Sequence, residues 1–151
     1  MALVTKRRSR FVSKRSSVFE PASLSRKEHG LSGRVEFCPG DFFRDPFPAA
    51  EVVVIGPVLH NWDMTRKKLL LKKAFDALPA GGAGIIYKRL IDDERRHNAK
   101  ALLSSLNMLV MTTGGFDFTA AGGIGWMREV GFRDIAVEPL TSDQSMIVGF
   151  K

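Results

Sequence analysis

Apolar and polar positions along the chain follow two periods, and the switches between them mark out its elements. Residues 34–38 alternate, with Val35 and Phe37 on either side of Glu36, and then meet Pro39 and Gly40, which predicts a strand ending at a turn. Residues 52–56 form an unbroken run of Val52, Val53, Val54 and Ile55 before Gly56, the pattern of a strand buried on both faces. A 3.6-residue period follows over 65–78. Thr65 stands at the N-cap position, Leu70, Leu71, Ala74, Phe75 and Leu78 share a face, and Pro79 to Gly82 stop the helix. Residues 84–87 make a short buried strand. The next helical period runs over 93–111, with Ala99, Leu102, Leu103, Leu106, Leu109 and Val110 toward a core. Another helix is predicted over 121–130, closed by Gly131, and two strands over 135–138 and 145–150 end the chain. Strand–helix alternation at this spacing implies an α/β layer with a mostly parallel sheet. The short loop between the last two strands makes that pair antiparallel.

Charge divides the same chain differently. The 151 residues carry a formal net charge of +7, but residues 1–28 hold eight basic side chains against two acidic ones, which leaves the remainder near neutral. All fourteen glycines lie at or beyond Gly30. The chain therefore divides into a basic, irregular head over 1–30 and a glycine-punctuated body over 31–151. The head admits three readings: a leader without fixed structure, an organellar targeting segment, or a basic arm for nucleic acid. The last is disfavoured because no recognition motif accompanies the charge. With 44% hydrophobic and 26% charged residues over its whole length, and no apolar run near 18 residues, the chain reads as a cytoplasmic globular protein with no membrane span. A single cysteine, Cys38, excludes a disulfide framework and a cysteine-rich metal site within one chain.

Candidate chemistry gathers where strands end, which is where ligands bind in sheets of this kind. Gly40, Asp41, Phe42 and Phe43 follow the first strand of the body; Leu59, His60, Asn61, Trp62 and Asp63 follow the second. A carboxylate at a strand end suits a ribose or an amine, an aromatic suits an adenine face, and a histidine in a cleft suits proton transfer. Each also has a plain structural reading: Asp41 as a turn residue, Trp62 as core, His60 as a structural histidine.

The order of these pieces carries more than any one of them. Residues 34–43, Val58 to Asp63, Ala77 to Gly82, Ile91 to Arg95, Gly114 to Asp117, and Gly131 with Phe132 together resemble the S-adenosylmethionine-dependent O-methyltransferases that act on phenolic and related hydroxyls of small aromatic metabolites. The resemblance covers about residues 31–151. It implies part of a Rossmann-like methyltransferase sheet, mostly parallel with an antiparallel C-terminal strand. It implies His60 as general base and Asp117 as the carboxylate that orients it. Asp41, Phe42 and Gly56 would contact the S-adenosylmethionine cofactor, and Asn107 and Met108 would line the substrate side. Residues 17–21 match a second strand loosely, with Glu20 in the place of the ribose-binding acid.

Three departures from the family pattern bear on function. Lys88 stands where the family has a second glutamate near the histidine, and a cation there would lower the histidine's pKa. Asn61 replaces an aspartate. The glycine loop that wraps the methionine end of the cofactor, and the dimerisation domain upstream of it, have no counterpart, since no glycine precedes Gly30. In the family that loop follows a central first strand, and without such a strand the one at 52–56 would expose an apolar edge. The head would have to substitute for it, a second copy or another chain would have to cover it, or the chain is a fragment of a longer enzyme. Two functions follow: a methyltransferase acting on a hydroxylated aromatic small molecule, or an inactive remnant of the fold that serves as an interaction or subunit module.

Overall fold

The computed structural model describes residues 2–4, 9–13 and 35–151. Its centre is β4 (Val52–Ile55), whose residues alternate between fully buried (Val53, Ile55) and half-buried (Val52, Val54). The β-branched run thus buries one face completely and covers the other in part. β4 pairs in parallel with β5 (Ala83–Lys88), one residue longer at each end than predicted. Between them runs α1 (Met64–Ala77), which sets Leu70, Leu71 and Ala74, with Leu78 just beyond its end, into the core. Its N-cap is Asp63, whose carboxylate accepts the Arg66 N–H at 2.8 Å. Thr65 lies within the first turn instead, since a carboxylate two residues earlier already satisfies the free amide.

The remaining strands are β1 (Ala2–Val4), β2 (Ser9–Ser13), β3 (Val35–Pro39), β6 (Arg133–Pro139) and β7 (Ser145–Phe150). Among the described residues they complete a seven-stranded sheet in the order β3-β2-β1-β4-β5-β7-β6. β2 to β6 run in one direction, and β1 and β7 oppose them. Among the described residues only the β2–β3 and β4–β5 pairs are parallel and the other four are antiparallel, so the sheet is mixed rather than mostly parallel; its C-terminal pair is antiparallel, as the short connecting loop requires.

β1 settles what covers the edge of β4. The head supplies a short strand there, antiparallel, with Ala2 opposite Val54 and Val4 opposite Val52. The loosely matched residues 17–21, Glu20 among them, lie outside the described residues. Removing residues 1–13 should therefore uncover the edge of β4 and deprive β3 of its partner, leading to self-association. Light scattering on the shortened chain checks this; a monomer melting at the wild-type temperature would show that the head does not protect the sheet.

Two helices depart from their predicted extents. α2 spans Ala99–Met111, six residues shorter at its start than the apolar period suggests. Asp92 is the reason: its carboxylate accepts backbone N–H groups from Arg96, His97 and Asn98, closing a turn in which no helix can begin. The Arg96 N–H first, then that of Asn98, hold its carboxyl down at about 2. Asn98 then caps the helix through Ala101 N–H at 3.1 Å. The apolar stripe of α2 also does not face the core. Leu103, Leu106, Leu109 and Val110 are exposed, and only Ala101 is fully buried. The period is present, but no described element lies over it.

α3 (Ala120–Glu129) ends as predicted at Gly131, whose φ of +111° closes the turn while Phe132 N–H donates to Met127 O. That turn drives Phe132 into the core, edge-on to Phe75 at 5.1 Å. Gly84 on β5 makes room for it, because a Cβ there would lie 2.6 Å from the Phe132 ring. Gly84→Ala is accordingly expected to cost about 1–3 kcal/mol of stability, as overpacking does; a urea midpoint unchanged from wild type would contradict it.

Candidate active site

β4 ends at Ile55, and the chain turns through Gly56 and Pro57 into a 3-10 turn over Leu59–Asn61. Leu59 is buried and anchors the turn from below; Asp63 caps α1 directly after it. His60 is thus held between a buried strand end and a capped helix start, with its ring mostly covered. Its Nδ1 lies 3.0 Å from Asp117 Oδ1, a residue 57 positions further along.

Two glycines bring Asp117 there. After α2, Thr112 Oγ1 donates to Met108 O and accepts the Gly115 N–H. Gly114 adopts φ +81°, and a Cβ on Gly115 would stand 2.6 Å from His60 O and 2.2 Å from Thr112 Oγ1. Only a residue without a side chain lets this segment lie against the histidine turn. Asp117 is then fixed by its own N–H on Ser105 Oγ and by its neighbour Phe118, whose carbonyl accepts from Ile91 N–H at 3.1 Å. Its side chain is fully buried, and Oδ2 has no hydrogen-bond partner among the described residues.

Two lysines share this interior. Lys88, the last residue of β5, is buried with Nζ in direct ion-pair contact with Asp117 Oδ1 and 3.4 Å from His60 Nδ1. Lys67, on the buried face of α1, is fully enclosed. Its Nζ donates to Trp62 O at 2.6 Å and lies 3.2 Å from the centre of the Phe116 ring. Burial pushes Lys67 down to about 8, with Asp63 opposing. Burial, then Lys67 and Arg89, push Lys88 down to about 7, while the carboxylate it touches favours its cation. Burial first, then Lys88 and Lys67, push His60 down to about 4, against a raising contribution from the Pro57 backbone. His60 is therefore an uncharged imidazole at neutral pH. The shorter of its two contacts assigns the Nδ1 proton to Asp117, which makes Nε2 the unprotonated nitrogen of the neutral ring.

The two sequence clusters at strand ends meet through their aromatics. Phe43 stands edge-on to Trp62 at 4.8 Å, and Phe42 at 6.1 Å, so the loop after β3 and the turn after β4 form one wall. Asp41 keeps a partly exposed carboxylate, of which Oδ1 accepts the Phe43 N–H at 2.9 Å. Phe42 is buried in the core. Gly56 lies against Tyr87, whose hydroxyl would be 3.0 Å from a Cβ at that position. In α2, which packs against the His60 turn, Asn107 is exposed and Met108 half-buried.

Lys67 escaped the sequence reading. The signal was there: it precedes Leu70, Leu71 and Ala74 by the helical spacing that puts it on their face. Among the described residues, no group of three or more potential metal ligands comes together, and no helix is long and apolar enough to cross a membrane.

Comparison with known proteins places this arrangement. A family model for the O-methyltransferase domain matches residues 13–133. The tetracenomycin polyketide synthesis 8-O-methyl transferase of Streptomyces glaucescens is 37% identical over 78% of this chain, which corresponds to 35% of that protein. Among solved structures, an O-methyltransferase family 2 protein from Planctomyces limnophilus, in complex with apigenin, superposes with a TM-score of 0.87 at 26% identity, covering 94% of this chain and 42% of that one. Human N-acetylserotonin methyltransferase in complex with S-adenosylmethionine gives 0.73 at 31% identity, over 78% and 34% of the two chains. The chain spans about a third of the length of the curated relatives it matches.

Proposed function

Because the chain belongs to the O-methyltransferase domain family, whose members depend on S-adenosylmethionine, we propose that it takes part in methyl transfer to a hydroxyl of a small aromatic molecule, with His60 as the general base. The observation that carries this reading is the 3.0 Å contact between His60 Nδ1 and the buried Asp117. It orients the ring and leaves Nε2 to take the hydroxyl proton. The proton passes from the acceptor oxygen to Nε2 and from there to solvent.

The residues present fit one end of the cofactor. Asp41 offers an accessible carboxylate at the carboxyl end of β3, suited to the amine of an adenine, beside the Phe42–Phe43–Trp62 wall. Gly56 lies at the equivalent end of β4. Glu20 would serve the ribose in this reading. When bound, S-adenosylmethionine supplies an electrophilic methyl group on sulfur and leaves as the neutral thioether. Asn107 and Met108, on the helix against the histidine turn, would line the acceptor side.

Transfer of labelled methyl from S-adenosylmethionine to a panel of hydroxylated aromatics tests the proposal. Labelled ether product supports it, and no product from any acceptor at saturating cofactor overturns it. The methionine end of the cofactor has no described residue assigned to it, so the 151-residue chain is expected to bind S-adenosylmethionine weakly. Calorimetric titration checks this, and a micromolar dissociation constant would contradict it.

A second reading has its own support. Lys88 holds the carboxylate that the histidine needs, and the chain spans only about a third of its relatives. Both suit an inactive remnant that works as an interaction or subunit module, as a homodimer or with another chain. In that case folded protein transfers no methyl group.

A further inference from the structure

Three ionisable groups meet at one oxygen. Asp117 Oδ1 touches Lys88 Nζ and lies 3.0 Å from His60 Nδ1, and the two nitrogens are 3.4 Å apart. A general-base histidine ordinarily has its partner carboxylate to itself, so that the positive charge it acquires is met by a negative one. Here that negative charge is already matched by a buried cation. The carboxylate's other oxygen makes no hydrogen bond among the described residues, so it does not serve the ring either.

The charges facing His60 come from three elements: Lys88 from β5, Lys67 from α1, and Asp117 from the segment after α2. Asp63 acts on Lys67 and Arg89 on Lys88, one step further out. With the imidazole neutral and both lysines protonated, as they are in the acidic range where His60 titrates, the two lysines and one aspartate leave an excess of one positive charge in the interior. Protonating His60 doubles that excess, while an acceptor oxygen that has lost its proton cancels it. The site thus opposes charge on its base and favours charge on its substrate.

We infer that Lys88 is a positioning residue of this site: it shares Asp117 with His60, keeps the imidazole uncharged, and so matches the site to acceptor hydroxyls that release their proton readily, the phenols whose ring carries an electron-withdrawing group. The inference rests on the methyltransferase reading for its substrate class, but its electrostatic core does not need turnover. A weakly acidic hydroxyl gives its proton to a weak base only with difficulty; an acidic phenol passes its proton to His60 readily and leaves in the site the negative charge that the lysines attract.

The test is an NMR titration of the histidine-labelled full chain, with the His60 signal identified by its loss in His60→Gln. In wild type, His60 is expected to titrate below pH 5 with its proton on Nδ1. Lys88→Met should raise the midpoint by about one pH unit or more, and Lys88→Glu further, while Lys88→Arg, which keeps the charge, leaves it low. A wild-type midpoint at pH 6 or above overturns the inference even if no variant folds, and so does a folded Lys88→Met with an unmoved midpoint. In the transfer assay at pH 7, a nitrophenol should be methylated at least about tenfold faster than the unsubstituted phenol, and Lys88→Glu should narrow the ratio. Equal wild-type rates overturn the substrate class. Absence of transfer to both counts against the methyltransferase reading alone, and the titration then decides the role of Lys88.

Discussion

Alanine at position 60 is expected to lower methyl transfer about a hundredfold or more, with the fold intact. A positioned base contributes on the order of 10²–10⁴ to such a step, equivalent to about 3–5 kcal/mol of barrier. No other described group near Asp117 can take over. Lys88 is committed to the carboxylate and Lys67 to the Trp62 carbonyl and the Phe116 ring. The rate of labelled ether formation measures the loss, and a His60→Ala protein that retains more than about a tenth of wild-type transfer would sink the assignment of His60.

The same histidine sets a pH dependence whose sign follows from burial. His60 titrates at about 4 in the folded chain against 6.5 for the free side chain, so the unfolded chain binds the proton more readily. The stability this represents is complete above pH 6.5 and is lost as pH falls through about 4, amounting to about 3 kcal/mol. Wild type should therefore lose more stability between pH 7 and pH 4 than His60→Gln does. Parallel curves for the two proteins would show that the imidazole is not buried as described. Activity should likewise hold to lower pH than an ordinary histidine base allows, because its neutral form persists to about pH 4.

Much of the body could be read from pattern, and the failures have physical causes. β4 is a short apolar run closed by Gly56 and Pro57, β5 one opened by Gly81 and Gly82, and their ends fall within a residue of those expected. Gly131 announced the end of α3 because the closing turn demands a positive φ. α2 misled because its apolar stripe has the period of a buried helix, and period alone does not say whether a neighbour exists to bury it. β1 could not be foreseen: three residues beside a run of basic ones carry no strand signal, and their pairing depends on an edge that only the fold creates. At the site, His60 and Asp117 could be named from resemblance. Their meeting, however, depends on Gly115 lying against the His60 carbonyl, a close approach that no sequence spacing expresses. The departure at Lys88 was visible as an unexpected residue. That it holds the Asp117 carboxylate follows only from both side chains entering the same interior.

The largest expected effect on stability belongs to that carboxylate. Asp117→Ala leaves Lys88 buried against His60 with no counter-charge and Lys67 nearby, and removing one partner of a buried pair costs about 3–5 kcal/mol. Titration limits the damage. Lys88 is already displaced downward by burial, so raising the pH lets it shed its proton and become a neutral amine. The deficit of Asp117→Ala relative to wild type should therefore be larger at pH 6 than at pH 9, the direction expected of a folded-state lysine whose pKa lies below its unfolded value. Taking away both charges should recover most of the loss, since an apolar pair of similar volume avoids the desolvation that the ions incur. Asp117→Ala with Lys88→Met is expected within about 1.5 kcal/mol of wild type. Denaturant unfolding of the single and double variants at the two pH values measures all of this. A single variant that loses less than about 1 kcal/mol, or a double variant no more stable than the single, would mean that Lys88 and Asp117 are not bound to each other in the folded chain. In that event the carboxylate would be free to serve His60 alone.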